Sequence, residues 1–142
     1  MKKLVLALLA CFLLLSGCSA EEPVLGTAAE YEDCAVELLD AEFFQSDDGA
    51  QMVRVYVKYT NSGAEDMYML ESFALKAFQG DTQLLDCTDI NEETALIQSV
   101  KDGNSTQGGY VYQLVTDDPV VVKVFTPTAD EELLALREYS NK

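Results

Sequence analysis

Met52-Val53-Arg54-Val55-Tyr56-Val57-Lys58-Tyr59-Thr60 decides the fold. Val53, Val55, Val57 and Tyr59 fall on one side of an extended chain, with Arg54 and Lys58 on the other. Side chains of a strand alternate between faces, so this spacing predicts one buried face and one facing water. The β-branched valines suit an extended backbone. Asn61-Ser62-Gly63 ends the strand, and Ser46-Asp47-Asp48-Gly49 precedes it as a turn cluster.

The same grammar extends in both directions. On the N-terminal side, Cys34, Val36 and Leu38 alternate with Ala35, Glu37 and Leu39. On the C-terminal side, Met67 to Leu70 opens a new segment. Phe73–Phe78 and Thr82–Leu85 flank Gln79-Gly80-Asp81, which reads as a hairpin turn. Ala95–Val100 reads as extended, and Lys101-Asp102-Gly103-Asn104 as a turn. Tyr110–Val115 and Val120–Phe125 read as strands joined by Thr116-Asp117-Asp118-Pro119. About seven short, turn-bounded strands predict an antiparallel β-sandwich over residues 31–142. Thr128-Ala129-Asp130-Glu131 fits a helix capping box, which predicts a short C-terminal helix over residues 129–139. An edge strand is the alternative there.

The N-terminus carries an address. Lys2 and Lys3 precede an apolar run from Leu4 to Leu15. That run is shorter than the roughly 20 residues of a spanning helix, and it reads as an export signal over residues 1–17. It ends in Leu15-Ser16-Gly17-Cys18, which resembles the lipobox of bacterial lipoproteins. The resemblance implies cleavage between Gly17 and Cys18, and a diacylglyceryl group on the Cys18 thiol. Two acyl chains hold a protein to a bilayer far better than one. Residues 18–30, small, polar and acidic with Pro23 and Gly26, read as the lipidated N-terminus and a flexible tether.

Composition narrows the chemistry. The chain carries a net charge of −16, and loss of Lys2 and Lys3 with the signal takes the rest to −18. Such a chain repels nucleic acid phosphates. With no His, Ser-His-Asp triads and His-ligated metal centres are excluded. Cys34 and Cys87 are too few for a four-thiolate zinc site. An exported location permits a disulfide between them, closing a loop of about 50 residues and worth roughly 3–4 kcal/mol. The alternative is two buried thiols packed as small apolar groups.

A resemblance to a known family lies in four places. Val57-Lys58-Tyr59-Thr60-Asn61-Ser62, Ala77-Phe78-Gln79-Gly80 through Leu84, Tyr112-Gln113-Leu114 and Val120–Val124 resemble small Gram-positive lipoproteins grouped as domain of unknown function fifty sixty-seven. The resemblance covers residues 31–125. The family's Pro-Gly pair before the Tyr strand is replaced here by Lys101-Asp102-Gly103. It implies an immunoglobulin-like exported fold and a place on the outer face of a Gram-positive cell membrane, but no reaction.

Several candidate sites remain. Acidic residues cluster at Glu30–Asp33, Asp47-Asp48, Glu65-Asp66 and Asp117-Asp118. They are expected to form a solvated surface and not a metal site. Asp102-Gly103-Asn104-Ser105-Thr106 starts like a calcium loop but has Gln107 where Gly is needed. No catalytic residue and no cofactor are expected. Met67, Tyr68 and Met69 are either a binding patch or a strand entering the core. The expectation is a membrane-anchored extracytoplasmic interaction module. Its partner would be another envelope protein, a cell-wall component or an extracellular ligand. Alternatives are a structural or protective envelope role, or an accessory of a transporter that binds a small molecule or metal.

Overall fold

Period-two burial organises the chain as two facing antiparallel sheets. The computed structural model describes residues 25–142; the signal, Gly17 and Cys18 lie outside the described residues. The first sheet has the order β1-β2-β3-β9-β7, built from β1 (Ala28–Tyr31), β2 (Cys34–Gln45), β3 (Gln51–Asn61), β9 (Ser105–Gln113) and β7 (Leu85–Asp86). The second has the order β11-β10-β5-β6, from β11 (Leu133–Tyr139), β10 (Val120–Phe125), β5 (Ala74–Gln79) and β6 (Thr82–Gln83). A ribbon of β4 (Met67–Tyr68) and β8 (Ser99–Val100) belongs to neither. It is followed and preceded, respectively, by a one-turn helix α1 (Met69–Ser72) and a 3₁₀ turn at Thr94–Leu96.

The central strand β3 behaves as its spacing predicts. Val53, Val55, Val57 and Tyr59 are fully buried. They meet Val36 and Leu38 of β2 and Tyr110 and Tyr112 of β9 within the sheet, and Val120, Val122 and Val124 of β10 across it. Burying each such aliphatic side chain contributes about 1.5–3 kcal/mol. Outside, Arg54 is less solvated than the pattern implies. Its stem covers Gly109, its Nε lies 3.3 Å from Glu93 Oε1, and its guanidinium sits 5.3 Å from the Phe44 ring.

Three expectations are corrected. The C-terminal segment is a strand, not a helix: β11 pairs with β10 from Val120↔Tyr139 to Phe125↔Leu133. The hydroxyl of Thr126, not Thr128, accepts from the Glu132 amide, 3.0 Å away. The tether gives way to the sheet before residue 30, since β1 pairs Ala28↔Glu37 through Tyr31↔Cys34. Ahead of β1, the Leu38 amide donates to Thr27 O and the Leu136 amide to Gly26 O, so this strap joins both sheets. Within Ala95–Val100, expected to be extended, the 3₁₀ turn comes first and only Ser99–Val100 pairs.

β11 also staples the sheets together. β2 slips register between Leu38 and Ala41, which frees carbonyls at the bulge. Arg137 donates to Leu38 O at 2.9 Å and to Asp40 Oδ1 at 2.8 Å, and Tyr139 Oη donates to Leu39 O at 2.7 Å.

On the other side, residues 85–100 run beside the free edge of β9. The Cys87 amide donates to Val111 O, and the Val111 amide to Thr88 Oγ1. Glu93 Oε2 accepts from the Gly109 amide, and Leu96 plugs the inner side of Gly108. Gly108-Gly109 is therefore where a strand gives up side chains so that Leu96 and Arg54 can close over it.

Candidate functional site

Cys34 and its neighbours form a buried polar chain at one end of the sandwich. Cys34 Sγ lies 3.0 Å from Tyr59 Oη, which lies 2.7 Å from Ser72 Oγ, and Ser72 donates to Tyr68 O at 2.9 Å. Each hydroxyl or thiol has one proton. With the Ser72 proton committed to Tyr68 O, Tyr59 donates to Ser72 and Cys34 donates to Tyr59. Burial pushes the Tyr59 phenol up to about 12. Tyr59 also meets Phe73 edge-on, with centroids 6.2 Å apart. The chain fastens α1 to β2 and β3.

Asn61 pins the loops above it. It is fully buried, and its Nδ2 donates to Glu65 O and Val100 O, each at 2.7 Å, while its Oδ1 accepts from the Gly63 amide. Gln79 does the same at the opposite end. Its amide group donates to Thr116 O and Asp118 O and accepts from the amides of Val115 and Thr116. In the sequence both residues stand in predicted turns. Their burial was invisible without the partner loops.

A cavity of about 480 Å³ opens beside Cys34, lined among others by Asp33, Asn61, Glu65 and Met67. Its carboxylates do not converge: among the described residues, no group of three or more Cys, Asp or Glu side chains is placed to hold a metal. Asp48, in another acidic pair, is spent on its turn. Hydrogen bonds from the Ser46 hydroxyl and the Ala50 amide hold its carboxyl below the usual range. The Asp102–Asn104 stretch is a tight turn with Gly103 at φ 74°.

The Cys34–Cys87 disulfide is a correction. Both thiols are free, Cys34 buried and Cys87 half-buried. Cys34 stands opposite Asn61 on β3, whereas Cys87 bonds to Val111, which pairs with Arg54. That is three strand spacings and seven residues of β3 apart, roughly 14 Å across and 23 Å along. A disulfide needs Cα atoms within about 7 Å.

The Met67–Met69 patch divides. Met69 is fully buried and Met67 half-buried, so both methionines serve the core. Tyr68 and Leu70 face outward with 40% and 45% of their surface exposed. Their exposure follows from the step out of β4 into α1, which breaks the strand alternation.

This arrangement is a two-sheet antiparallel sandwich with a small ribbon, β4–β8, beside it. The chain belongs to the family described as Domain of unknown function (DUF5067), which matches residues 25–125. It is similar in fold to a candidate lipoprotein from Staphylococcus aureus, with TM-score 0.63 and 12% identity over 81% of this chain and 88% of that one. A candidate lipoprotein from Bacillus subtilis, YcdA, matches with TM-score 0.57 and 16% identity, over 81% of this chain but 38% of that one. A protein from Enterococcus faecalis solved by NMR matches with TM-score 0.55 and 20% identity, over 82% and 90%. No curated protein shows a significant match to the chain. Among the described residues, no helix is long and apolar enough to cross a membrane.

Proposed function

We propose that this protein is a lipoprotein, held by acyl chains on Cys18 to the outer face of a Gram-positive cell membrane. There it acts as a non-catalytic interaction module. The observation that carries the reading is Leu15-Ser16-Gly17-Cys18 directly after an apolar run flanked by Lys2 and Lys3. The fold similarity to candidate lipoproteins of Staphylococcus aureus and Bacillus subtilis supports it. The absence of His from the sequence and, among the described residues, of a group of three or more Cys, Asp or Glu side chains placed to hold a metal favours binding over catalysis. Exposed Tyr68 and Leu70 favour a binding role over a purely protective coat, for which a uniformly charged surface suffices.

The test is Cys18→Ala in the native host, read by detergent phase partitioning. The wild-type protein enters the detergent phase with the mature mass plus a diacylglyceryl group. The variant stays uncleaved or is released without lipid. Equal membrane retention of a processed variant would refute the anchor.

A further inference from the structure

We propose that the outer face of the β11-β10-β5-β6 sheet lies on the phospholipid headgroups of the membrane that carries the anchor. The proposal rests on the reading of Cys18 as the lipidated residue, and adds which way the domain is turned.

Strand pairing fixes which side chains share this face. Val120, Val122 and Val124 of β10 are in the core, with Ala77 of β5 and Ala135 and Tyr139 of β11. The alternate residues therefore point outward. Register sets them in rows: Phe78 beside Val121, Lys76 beside Lys123 and Leu136, and Phe125 beside Leu133. Two contacts between rows bind them into one surface. Lys123 Nζ lies 4.7 Å from the centre of the Phe78 ring, and Lys76 Nζ 5.4 Å from that of Phe125. An antiparallel strand with one wet face alternates apolar and polar residues, yet β10 reads Val-Val-Val-Lys-Val-Phe, apolar on both faces but for Lys123. The outer face of the other sheet keeps to the rule, with Glu30, Glu37, Glu42, Arg54, Lys58 and Thr60 spread across it.

What covers the face follows from where the chain enters the domain. The Leu136 amide donates to Gly26 O at 3.1 Å, so the chain arrives at the edge strand of this same face, level with its lysine row. Eight residues lead from Cys18 to Gly26 and span at most about 29 Å. Acyl chains on Cys18 thus keep the face at a high effective concentration beside the bilayer. Charge then selects the side that turns inward. The chain carries a net charge of −16, so headgroup phosphates repel it as a whole. The centre of this face is instead cationic. Lys76 is paired with Glu131, Lys123 has no ion-pair partner among the described residues, and Glu138 beside Val121 is the one carboxylate in the rows. A lysine whose stem lies along apolar surface and whose ammonium reaches outward suits a headgroup phosphate, with phenylalanine and leucine at the acyl boundary beneath.

The experiment uses the acylated protein, isotope-labelled, in nanodiscs of phosphatidylglycerol and phosphatidylcholine in equal parts. Amide NMR signals are compared between discs with and without a nitroxide on the phosphatidylcholine headgroup. The nitroxide broadens amides near it, and packed sheets lie about 10 Å apart. Val121, Lys123 and Leu136 should therefore lose at least about threefold more intensity than Tyr56 and Lys58 of β3. Lys123→Glu should cut that contrast at least about twofold, whereas Lys58→Glu on the other sheet should leave it unchanged. Unshifted signals elsewhere in the spectrum show that each variant is folded. The proposal falls if both sheets are broadened alike, if only residues 25–30 are, as for a domain tumbling on its tether, or if Lys123→Glu leaves the contrast intact. It falls equally if the signals of the face shift with the number of proteins per disc, since a second copy then covers it. Co-elution of the protein with the discs reports the anchor separately. A co-eluting protein without contrast loses this surface and keeps the lipoprotein reading, while one that elutes free of the discs loses both.

Discussion

Replacing Gly108 by Ala places a methyl group where Leu96 already sits. An added Cβ would lie 2.6 Å from Leu96 Cδ2, 3.2 Å from its Cγ and 3.6 Å from Ala95 Cβ. Carbon atoms prefer about 3.5–4.0 Å, so the leucine must retreat by roughly 1 Å. It has no room to do so, being fully buried in the core. Overpacking of this kind costs about 1–3 kcal/mol. The reduced freedom of the unfolded chain returns about 0.4–1 kcal/mol, leaving a net loss of up to about 2.5 kcal/mol. Leu96→Ala alone opens a cavity and costs about 2–5 kcal/mol. In the double variant the new methyl enters the vacated space, so the combined loss should fall short of the sum by at least about 1 kcal/mol. Urea unfolding of the four proteins measures this coupling. Gly103→Ala is the control: its φ of 74° predicts a backbone cost of about 1 kcal/mol, but nothing lies within 4 Å of an added Cβ. It should show no coupling to Leu96→Ala. Strict additivity of Gly108→Ala with Leu96→Ala would refute the account of this plug.

Asn61→Ala should cost about 2–3 kcal/mol in urea unfolding, because it strands the carbonyls of Glu65 and Val100 and the Gly63 amide in a closed loop. A loss below about 0.5 kcal/mol would mean that water satisfies these groups. Alkaline stability should fall through a defined window. Burial raises the phenols of both Tyr59 and Tyr139 to about 12, and pushes Tyr110 and Tyr112 upward as well. A folded-state pKa above the unfolded value near 10 gives stability that is whole below about pH 10 and drains away as pH rises through 12. Each such tyrosine adds a slope of up to about 1.4 kcal/mol per pH unit there. Urea midpoints at several pH values read it, and Tyr59→Phe should remove one tyrosine's share; an unchanged slope in that variant would contradict its assignment.

The sandwich was legible because its central strands carry unambiguous alternation. Val53–Tyr59 and Val120–Val124 are buried as their period requires, and the turns at Gly49 and Gly80 fall where Gly and Asp cluster. β11 was misread as a helix because Leu133-Leu134-Ala135-Leu136-Arg137 contains no β-branched residue and every member favours a helix. Pairing with the valine-rich β10 overrides that preference, a tertiary effect no local window contains. β1 was hidden for a related reason. Ala28, Ala29 and Glu30 have weak strand preference and pair only because β2 offers them an edge. At the candidate surface, the exposed pair Tyr68 and Leu70 could not be separated from the buried Met69 by composition. The division depends on α1 turning the chain one residue after β4 ends. The Gly108-Gly109 pair carries a signal of its own: two adjacent glycines inside a strand announce that something else fills their side-chain space.

The strap ahead of β1 also sets how the domain meets mechanical load. In the proposed lipoprotein, any drag on a partner bound outside the membrane is transmitted through residue 25 to the Gly26 and Thr27 carbonyls. Those carbonyls are held by Leu136 in one sheet and Leu38 in the other. β1 runs antiparallel to β2, so the component of that tension along the β1 axis acts perpendicular to the β1–β2 hydrogen bonds. The bonds are then sheared together and not opened one by one like a zip, and the two sheets share the first increment of force.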